Sequence, residues 1–519
     1  MQYKDKQSLQ DPIWIMWRTQ IAEAAQTPWL ASLLLKRSQR LWARFIHFFQ
    51  RLASLPHHKR RALGRNLQST LAGMALALAL SGVPSVHAAA ITVDSEVVVK
   101  ADDNQCSLIE AIINANNDSQ LYASDGECDA GSGNDIISLS TATHTLTDYD
   151  NSTYGYTGLP VISSTITING NGATIERSGD AISNFRILAV NATGNLTLNN
   201  ATITGGNIYD DGSGMLNYGG TIAINNSTIS NNTAAGNGGG IHNIAYTYNS
   251  LATAVVTINN STISGNSAKS GGGVSNHART YSGEATATAT INNSTISGNT
   301  AGNFGGGAYI KSGTESGTVL AAVTFNRSLV SGNTAKWGRE VNNSDTVTAD
   351  NNNLFGYDND AGVTGFSPGV SDIVPGAGIV VANILNTTLA NNSLNENLNT
   401  PEYPDTHALV SGSPAIDKAP DTDCTNAPTG NVDQRGGVRN VDGDSSLSAN
   451  ECDIGAFEYG STPTPTSVTM QGGMIATGGG TDVPLALGTT GSLALLSAGL
   501  LARTRRRREK VAGGNDCAE

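Results

Sequence analysis

NNSTISNNTAAGNGGGI (225–241), NNSTISGNSAKSGGGV (259–274), NNSTISGNTAGNFGGGA (292–308) and NRSLVSGNTAKWGRE (326–340) are one phrase written four times, at steps of 34, 33 and 34 residues. A fixed period of this kind marks a supersecondary unit stacked on copies of itself, each burying its apolar side against its neighbours. The unit reads as β. In TINNSTISGN the apolar residues are single and β-branched (Ile258 and Ile263, Ile291 and Ile296), set between Thr, Ser and Asn, which are poor in helix interiors but suit pleated strands and turns. Ankyrin-type repeats share the period, yet they require two helical runs per repeat, and none is present.

Each unit divides into three short segments, for example 271–277, 286–293 and 294–299. Three strands per turn of chain predict an all-β fold, a right-handed parallel β-helix with coils stacked at about 4.8 Å. Ile263, Ile296 and Val330 are expected to stack inside as one column. Asn266, Asn299 and Asn333 should form a ladder of side-chain amides at a turn, while Thr295 should face out and tolerate a charge. The Gly triplets at 238–240, 271–273 and 305–307 supply room for close backbone approach. The period is longer than such a coil needs, and the surplus is expected as polar loops at 244–254, 278–285 and 311–321.

Charge is unevenly placed. Residues 1–90 carry 12 Lys and Arg against 3 Asp and Glu, and residues 503–519 carry 6 against 3, so the body between them holds 12 basic and 37 acidic groups. A body of about −25 argues against nucleic acid, whose binding rests on Lys and Arg neutralising phosphate. It is equally unfavourable for polyanionic glycans unless metal ions bridge. With aromatics at 5% and charged residues at 14% of 519, the composition suits an extracellular β-solenoid better than a conventional core.

Both ends read as targeting segments. Lys59, Arg60, Arg61 and Arg65 precede the apolar run 71–83 and the small residues of SVHAAA, the layout of a secretory signal peptide with cleavage expected near Ala88 or Ala90. At the other end a Pro/Thr spacer (461–468) leads to an apolar stretch of 20 residues (483–502) and then RTRRRRE (503–509), which predicts a single transmembrane helix with its tail inside. MIATGGG (474–480) resembles the sortase sorting motif at Thr477 and Gly478, without the Leu-Pro of that motif. Of the five cysteines, Cys106 and Cys128 flank one Gly/Asp-rich loop and Cys424 and Cys452 another, so two local disulfides in an oxidising compartment are expected.

The segment 93–116, with CSLIEA at its centre, resembles the N-terminal module known as the CSLREA domain. HALVSGSPAIDKAPD (407–421), DQRG (433–436) and CDIGAFEY (452–459) resemble the choice-of-anchor Q domain, and the GGG and SGNTA phrases resemble repeats of polymorphic outer-membrane proteins. The resemblance implies an exported, anchored β-helix on a bacterial surface or outer envelope, and it implies no chemistry. The domain division that follows is an extended signal region (1–90), a CSLREA-like cap (91–135), the β-helix repeats (136–350), a choice-of-anchor Q-like module (351–460), a stalk with the sorting motif (461–482), and a transmembrane anchor with a basic tail (483–519). Expected partners are the export machinery, a C-terminal sorting enzyme, the membrane, and an extracellular glycan or protein ligand.

No coil presents a convergent set of acids or a base, so no catalytic residue is assigned. A secreted polysaccharide lyase or glycoside hydrolase is the alternative, because parallel β-helices include both. The acidic clusters Asp210-Asp211 and Asp358–Asp360 read as solvated turns, and His242 and His277, in neighbouring coils at unequal places, as surface residues. No cofactor is expected. Calcium is the one candidate, at Asp442, Asp444 and Glu451 in DGDSSLSANE, where Leu447 replaces the usual sixth-position Gly. Tyr246, Tyr248 and Tyr281 fall in the surplus loops and are the candidate binding residues, since tyrosine stacks on sugar faces and peptides.

Overall fold

The computed structural model describes residues 89–461, except 97, 141, 393–402, 421–430, 440 and 444–450. The chain winds as an all-β parallel solenoid whose strands collect into sheets of nine, eight and seven strands, with a four-stranded sheet at one corner. One coil runs through Ile241–Thr247 of the seven-stranded sheet, Leu251–Asn259 of the nine-stranded, Thr262–Ser264 of the eight-stranded and Ser267–Ser270 of the four-stranded, and Val274 begins the next. The three expected faces are present, and the fourth short strand is an addition. Equivalent segments of successive coils pair in register, as Ile263 does with Ile229 and Ile296.

The NN(S/T) phrase builds one corner, and each of its residues has a separate task. Its first amide joins a ladder through Asn169, Asn199, Asn225, Asn259, Asn292, Asn326 and Asn351, in which each Nδ2 donates to the Oδ1 one coil earlier at 2.7–2.9 Å. The second residue turns the chain through the left-handed region, at φ of 47–50° in Asn200, Asn226, Asn260 and Asn293, a conformation that asparagine tolerates better than most side chains. The third offers its hydroxyl to the coil before it: the Ser227 N–H donates to Ser261 Oγ at 3.1 Å, and Ser261 N–H to Ser294 Oγ at 3.1 Å. These phrases serve as turn and ladder residues, although they match the pattern of a glycosylation acceptor.

Ile229, Ile263, Ile296, Val330 and Phe355 form the expected inner column, all buried. Beside it runs the second ladder, Asn232 to Asn266 at 3.0 Å, then Asn266 to Asn299 and Asn299 to Asn333 at 2.9 Å. It terminates on a carboxyl. Asn333 Nδ2 donates to Glu340 Oε2 at 2.7 Å and the Gly332 N–H to Oε1 at 3.1 Å, so Glu340 takes the place of the next amide. Burial raises its pKa to about 8, although the Asn333 bonds and Arg339 pull the other way.

The surplus residues are not loops. In three coils the strands of the seven- and nine-stranded sheets lengthen together (241–247 with 251–259, 274–280 with 284–292, 308–314 with 318–326) and continue outward as a two-layered fin. Alanines at 245, 254, 278, 285, 287 and 321, all fully buried, let the layers approach closely. A threonine closes each tip, for Thr280 Oγ1 accepts the Gly283 N–H at 2.8 Å and Thr314 Oγ1 that of Gly317 at 2.7 Å. The paired layers keep the extra backbone hydrogen-bonded from coil to coil, which a loop would leave to water.

The first coil is closed by a helix, Leu108–Asn117, whose N-terminus carries a capping box of Ser107 and Glu110 and whose buried Leu108, Ala111, Ile112 and Ala115 join the solenoid core. The Cys106–Cys128 disulfide pins the helix start. At the far end Phe325, Phe355 and Phe366 meet edge to face. Cys452 is also disulfide-bonded, and its expected partner Cys424 lies outside the described residues. Outside them too lie Ala88, the run 483–502, Thr477, Gly478 and Asp444. Among the described residues no helix is long and apolar enough to cross a membrane and no three acidic, His or Cys side chains gather as for a metal ion.

The DQRG and CDIGAFEY phrases dock the described residues of 404–461 onto the outer face of the eight-stranded sheet. Gln434 donates to Thr228 Oγ1 at 2.8 Å and accepts from Thr262 Oγ1 at 2.6 Å, while the Ala456 N–H donates to Thr295 Oγ1 at 3.0 Å. Behind this contact Arg435 pairs with Asp433 at 2.5 Å and lies over the Phe457 ring, and Arg439 donates to the Gly455 carbonyl at 2.7 Å. Thr295 therefore points outward, as expected, but is buried and would not tolerate a charge.

Substituting aspartate along one coil separates these environments. Ile296→Asp should cost several kcal/mol in chemical denaturation, because it leaves an unpaired carboxylate in a dry column. Thr295→Asp should cost about 1–3 kcal/mol through the lost bond to Ala456, and Thr290→Asp, on the open face of the nine-stranded sheet, under ~0.5 kcal/mol.

Glu340 gives a second expectation. It is ionised in the unfolded chain above its ordinary 4.5 and protonated when folded up to about 8, so folding takes up a proton between these limits. Its contribution is full below pH 4.5 and lost as the pH rises toward 8. Followed by denaturant titration, the wild type should lose stability relative to Glu340→Gln, whose neutral amide mimics the protonated acid, across that window, and the difference should level off above it.

Candidate functional site

The three candidate tyrosines fall into two places. Tyr248 and Tyr281 occupy equivalent positions at the fin tip and stack, with ring centroids 4.8 Å apart and planes 3° from parallel. Tyr246 lies instead on the outer face of the seven-stranded sheet, 6.4 Å from Tyr218, which in turn stacks on Tyr154 at 4.8 Å. All three candidates are exposed.

That outer face carries more than the sequence reading assigned to it. In Ile241–Thr247 the pleat sends Ile241, Asn243 and Ala245 inward and His242, Ile244 and Tyr246 outward. Register then aligns Leu216, His242, Ser275 and Tyr309 in one outward column, and Tyr218, Ile244, His277 and Lys311 in the next. His242 and His277 stand on a diagonal, edge to face at 5.6 Å, and His277 meets Tyr309 at 5.8 Å. The row continues as Tyr309 on Phe304 and Phe304 on Trp337, with Lys336 Nζ 4.0 Å over the indole. From Tyr218 to Trp337 it spans four coil steps, about 20 Å.

His242 faces outward but is buried, contrary to the surface position expected for it. The glycine turn preceding each strand folds over this column. A Cβ on Gly238, which sits at φ 68°, would come within 2.8 Å of the His242 Cβ, and the equivalent Gly271 and Gly305 make the same close approach to Ser275 and Tyr309. The segment 209–212 forms the other wall. Arg186, fully buried, fastens it by donating to the carbonyls of Asp211 at 2.8 Å and Gly212 at 3.2 Å, and also bonds the Tyr154 carbonyl. Burial lowers the guanidinium to about 10, with Asp210 and Asp211 opposing, so it remains cationic at neutral pH. Asp211 Oδ1 accepts from the Asn237 N–H at 2.5 Å and Nδ2 at 3.0 Å, and its Oδ2 lies 3.7 Å from His242 Nε2. Asp210 is exposed in a bend, as expected of a solvated turn, whereas Asp211 is half-buried and tied by these bonds into the wall.

Two hollows result. One of about 250 Å³ is lined by Tyr154, Arg186, Asp210, Asp211, Tyr218 and His242, and one of about 400 Å³ by Tyr209, Asp210, Asn237, Lys269, His277 and Tyr309, so Asp210 borders both. Neither ring nitrogen of His242, nor Nε2 of His277, has a hydrogen-bond partner. Burial holds both imidazoles below their usual range, His277 at about 3 with help from neighbouring His242 and Lys311, and for His242 burial outweighs Asp211. Both are neutral at pH 7, able to donate at one nitrogen and accept at the other.

The expected turn at 358–360 holds. Tyr357 and Asp360 bridge, Asp358 Oδ1 accepts the Gly378 N–H at 2.7 Å, and Asp360 pairs with Arg339 at 2.9 Å. Asp442 is exposed and Glu451 half-buried. The outward column, though not the walls around it, was traceable in the sequence as the second residue after each Gly triplet: His242, Ser275 and Tyr309 hold the same place in successive repeats. No family model, curated protein or solved structure matches the chain.

With the His277 pKa held at about 3, its ring proton resonances should stay fixed from about pH 5 to 8, the range in which an unperturbed histidine titrates, and those of His242 should titrate below the usual histidine midpoint. Proton NMR of the histidine signals, assigned with His242→Gln and His277→Gln, checks this.

Proposed function

We propose that the chain is an exported, cell-surface-anchored β-helix protein that binds an extended extracellular glycan or protein ligand along its lateral face, in adhesion, matrix contact or surface structure. The observation that carries this reading is the pair of ring series on one outer face, Tyr154–Tyr218–Tyr246 and His242 through His277, Tyr309 and Phe304 to Trp337, which together cross successive coils on a rigid scaffold. Coils of such a helix take the right-handed sense that crossovers between parallel strands adopt. The signal-like run before Ala90 and the apolar run with its Arg cluster after residue 482 support export and anchoring with the tail inside. On this reading the capped helix at 108–117 belongs to the CSLREA-like module and the docked segment 404–461 to the choice-of-anchor Q-like module. Thr477 and Gly478 would be the point where a sorting enzyme acts.

A second reading, a polysaccharide lyase or glycoside hydrolase, has one observation in its favour, the Asp210-Asp211 pair beside a neutral histidine. Incubating the protein with polysaccharides and assaying for new reducing ends or unsaturated products separates the two, since binding alone yields neither.

Surface display predicts that protease added to intact cells, or to spheroplasts where an outer membrane is present, digests the repeats. The double variant Tyr246→Ala with Trp337→Ala should weaken attachment about tenfold, the effect of one or two lost stacking contacts, with the thermal transition nearly unchanged. Protected repeats, or unchanged attachment in a display assay, would count against the proposal.

A further inference from the structure

We infer that the two hollows flanking Asp210 are adjacent sugar subsites for a hydroxyl-rich glycan without acidic groups, and that His242 and Asp211 together hold a sugar hydroxyl in the first. This deepens the reading above and rests on it.

The argument begins from an imbalance. His242 is 1% exposed, yet neither of its nitrogens is hydrogen-bonded. A buried polar group left unpaired costs about 1–3 kcal/mol, so the fold tolerates here a group that something else satisfies. The ring borders the smaller hollow, and Asp211 Oδ2 stands 3.7 Å from its Nε2. That separation is too long for a direct bond. A hydroxyl oxygen held beside the pair, within hydrogen-bond reach of both, would bridge them once a small turn of the ring brings the buried Nε2 to the hollow, accepting from the Nε2–H of a neutral ring and donating to the carboxylate. A hydroxyl is the group that does both at once. In the second hollow His277 Nε2 is likewise unpartnered, and the hydroxyl-bearing Tyr309 and Lys269 line the same space.

Two other ligand classes fit less well. In the first hollow a uronic or phosphorylated chain would meet Asp210 and Asp211 while Arg186 is already engaged with main-chain carbonyls, and although Lys269 and Lys311 line the second, a chain spanning both must still pass the two carboxylates. An extended peptide captured by strand addition needs a free sheet edge, but strands 215–218, 241–247, 274–280 and 308–314 are paired on both sides, and the row crosses them. Stacking against sugar faces needs no main-chain partner.

The test is calorimetry on the full-length chain in detergent against neutral and N-acetylated hexasaccharides (cello-, xylo-, manno-, malto- and chito-series), an oligogalacturonate of equal length and an extended peptide. At least one of the first group should bind. Asp211→Asn and His242→Gln should each weaken that binding about tenfold or more, while Tyr248→Ala with Tyr281→Ala at the fin tip changes it little. As a readout that needs no variant, the His242 ring signals of the wild type should shift on saturation. Binding of only the oligogalacturonate or the peptide, binding indifferent to both substitutions, or histidine signals unmoved at saturation would overturn the inference. Cells that still attach through the display face while the whole neutral panel fails would overturn it and leave the proposed function standing; loss of attachment itself would sink that function.

Discussion

Each amide buried inside this solenoid must be met by another amide one coil away. Asn266, Asn299 and Asn333 lie in the interior with no exposure, and each finds its partner only if neighbouring coils hold the same register. A slip of one residue would send the ladder outward, bring the isoleucine column out with it, and orphan several buried polar groups at once. The repeats are near-identical for this reason. The interaction is worth little per bond, about 1 kcal/mol net, but the penalty for breaking it is larger, so register is specified more strongly than stability alone suggests.

A ladder that depends on its next neighbour has to end on something else. Glu340 ends one, and Asn276, whose following register position is Ile310, ends another by turning to the carbonyls of Ala287 and Ala322. The apolar column needs closure too, and obtains it from the helix at 108–117 and the phenylalanines at 325, 355 and 366. Residues 404–461 solve a related problem at the side of the stack, where Gln434 enters between Thr228 and Thr262 as though it were one more rung.

Inward-facing residues were legible in the sequence because stacking makes them periodic. The column at Ile263, the ladder at Asn299 and the turn role of the NN(S/T) phrase follow from recurrence at fixed steps. The fin was not legible: ARTYSGEA (278–285), polar and broken by Ser-Gly, reads as a loop, and only the matching strand across the tip shows that both segments are extended. Thr295 misled for another reason, because alternation gives the direction of a side chain and cannot give what docks on it from 161 residues away. The same blindness hid the groove, whose walls come from 154, 186, 209–212 and 237, positions related by coil number and by no local pattern.

The division of labour between the two sides of each strand explains how such a site can exist at all. Inside, every position is tied to its neighbours by register, and a change in one coil strains the next. Outside, the pleat frees each position from that requirement, so the column through Leu216, His242, Ser275 and Tyr309 carries four unlike side chains on one backbone. The glycine turn is what converts this freedom into a pocket. It folds over the column in every repeat because the chain must reach the next coil there, and it covers whatever side chain stands beneath: a small serine in one coil, a histidine with unsatisfied nitrogens in another. The hollow beside His242 is therefore a by-product of the same turn that makes the solenoid, given chemical character by one outward residue and by the wall that Arg186 holds against it.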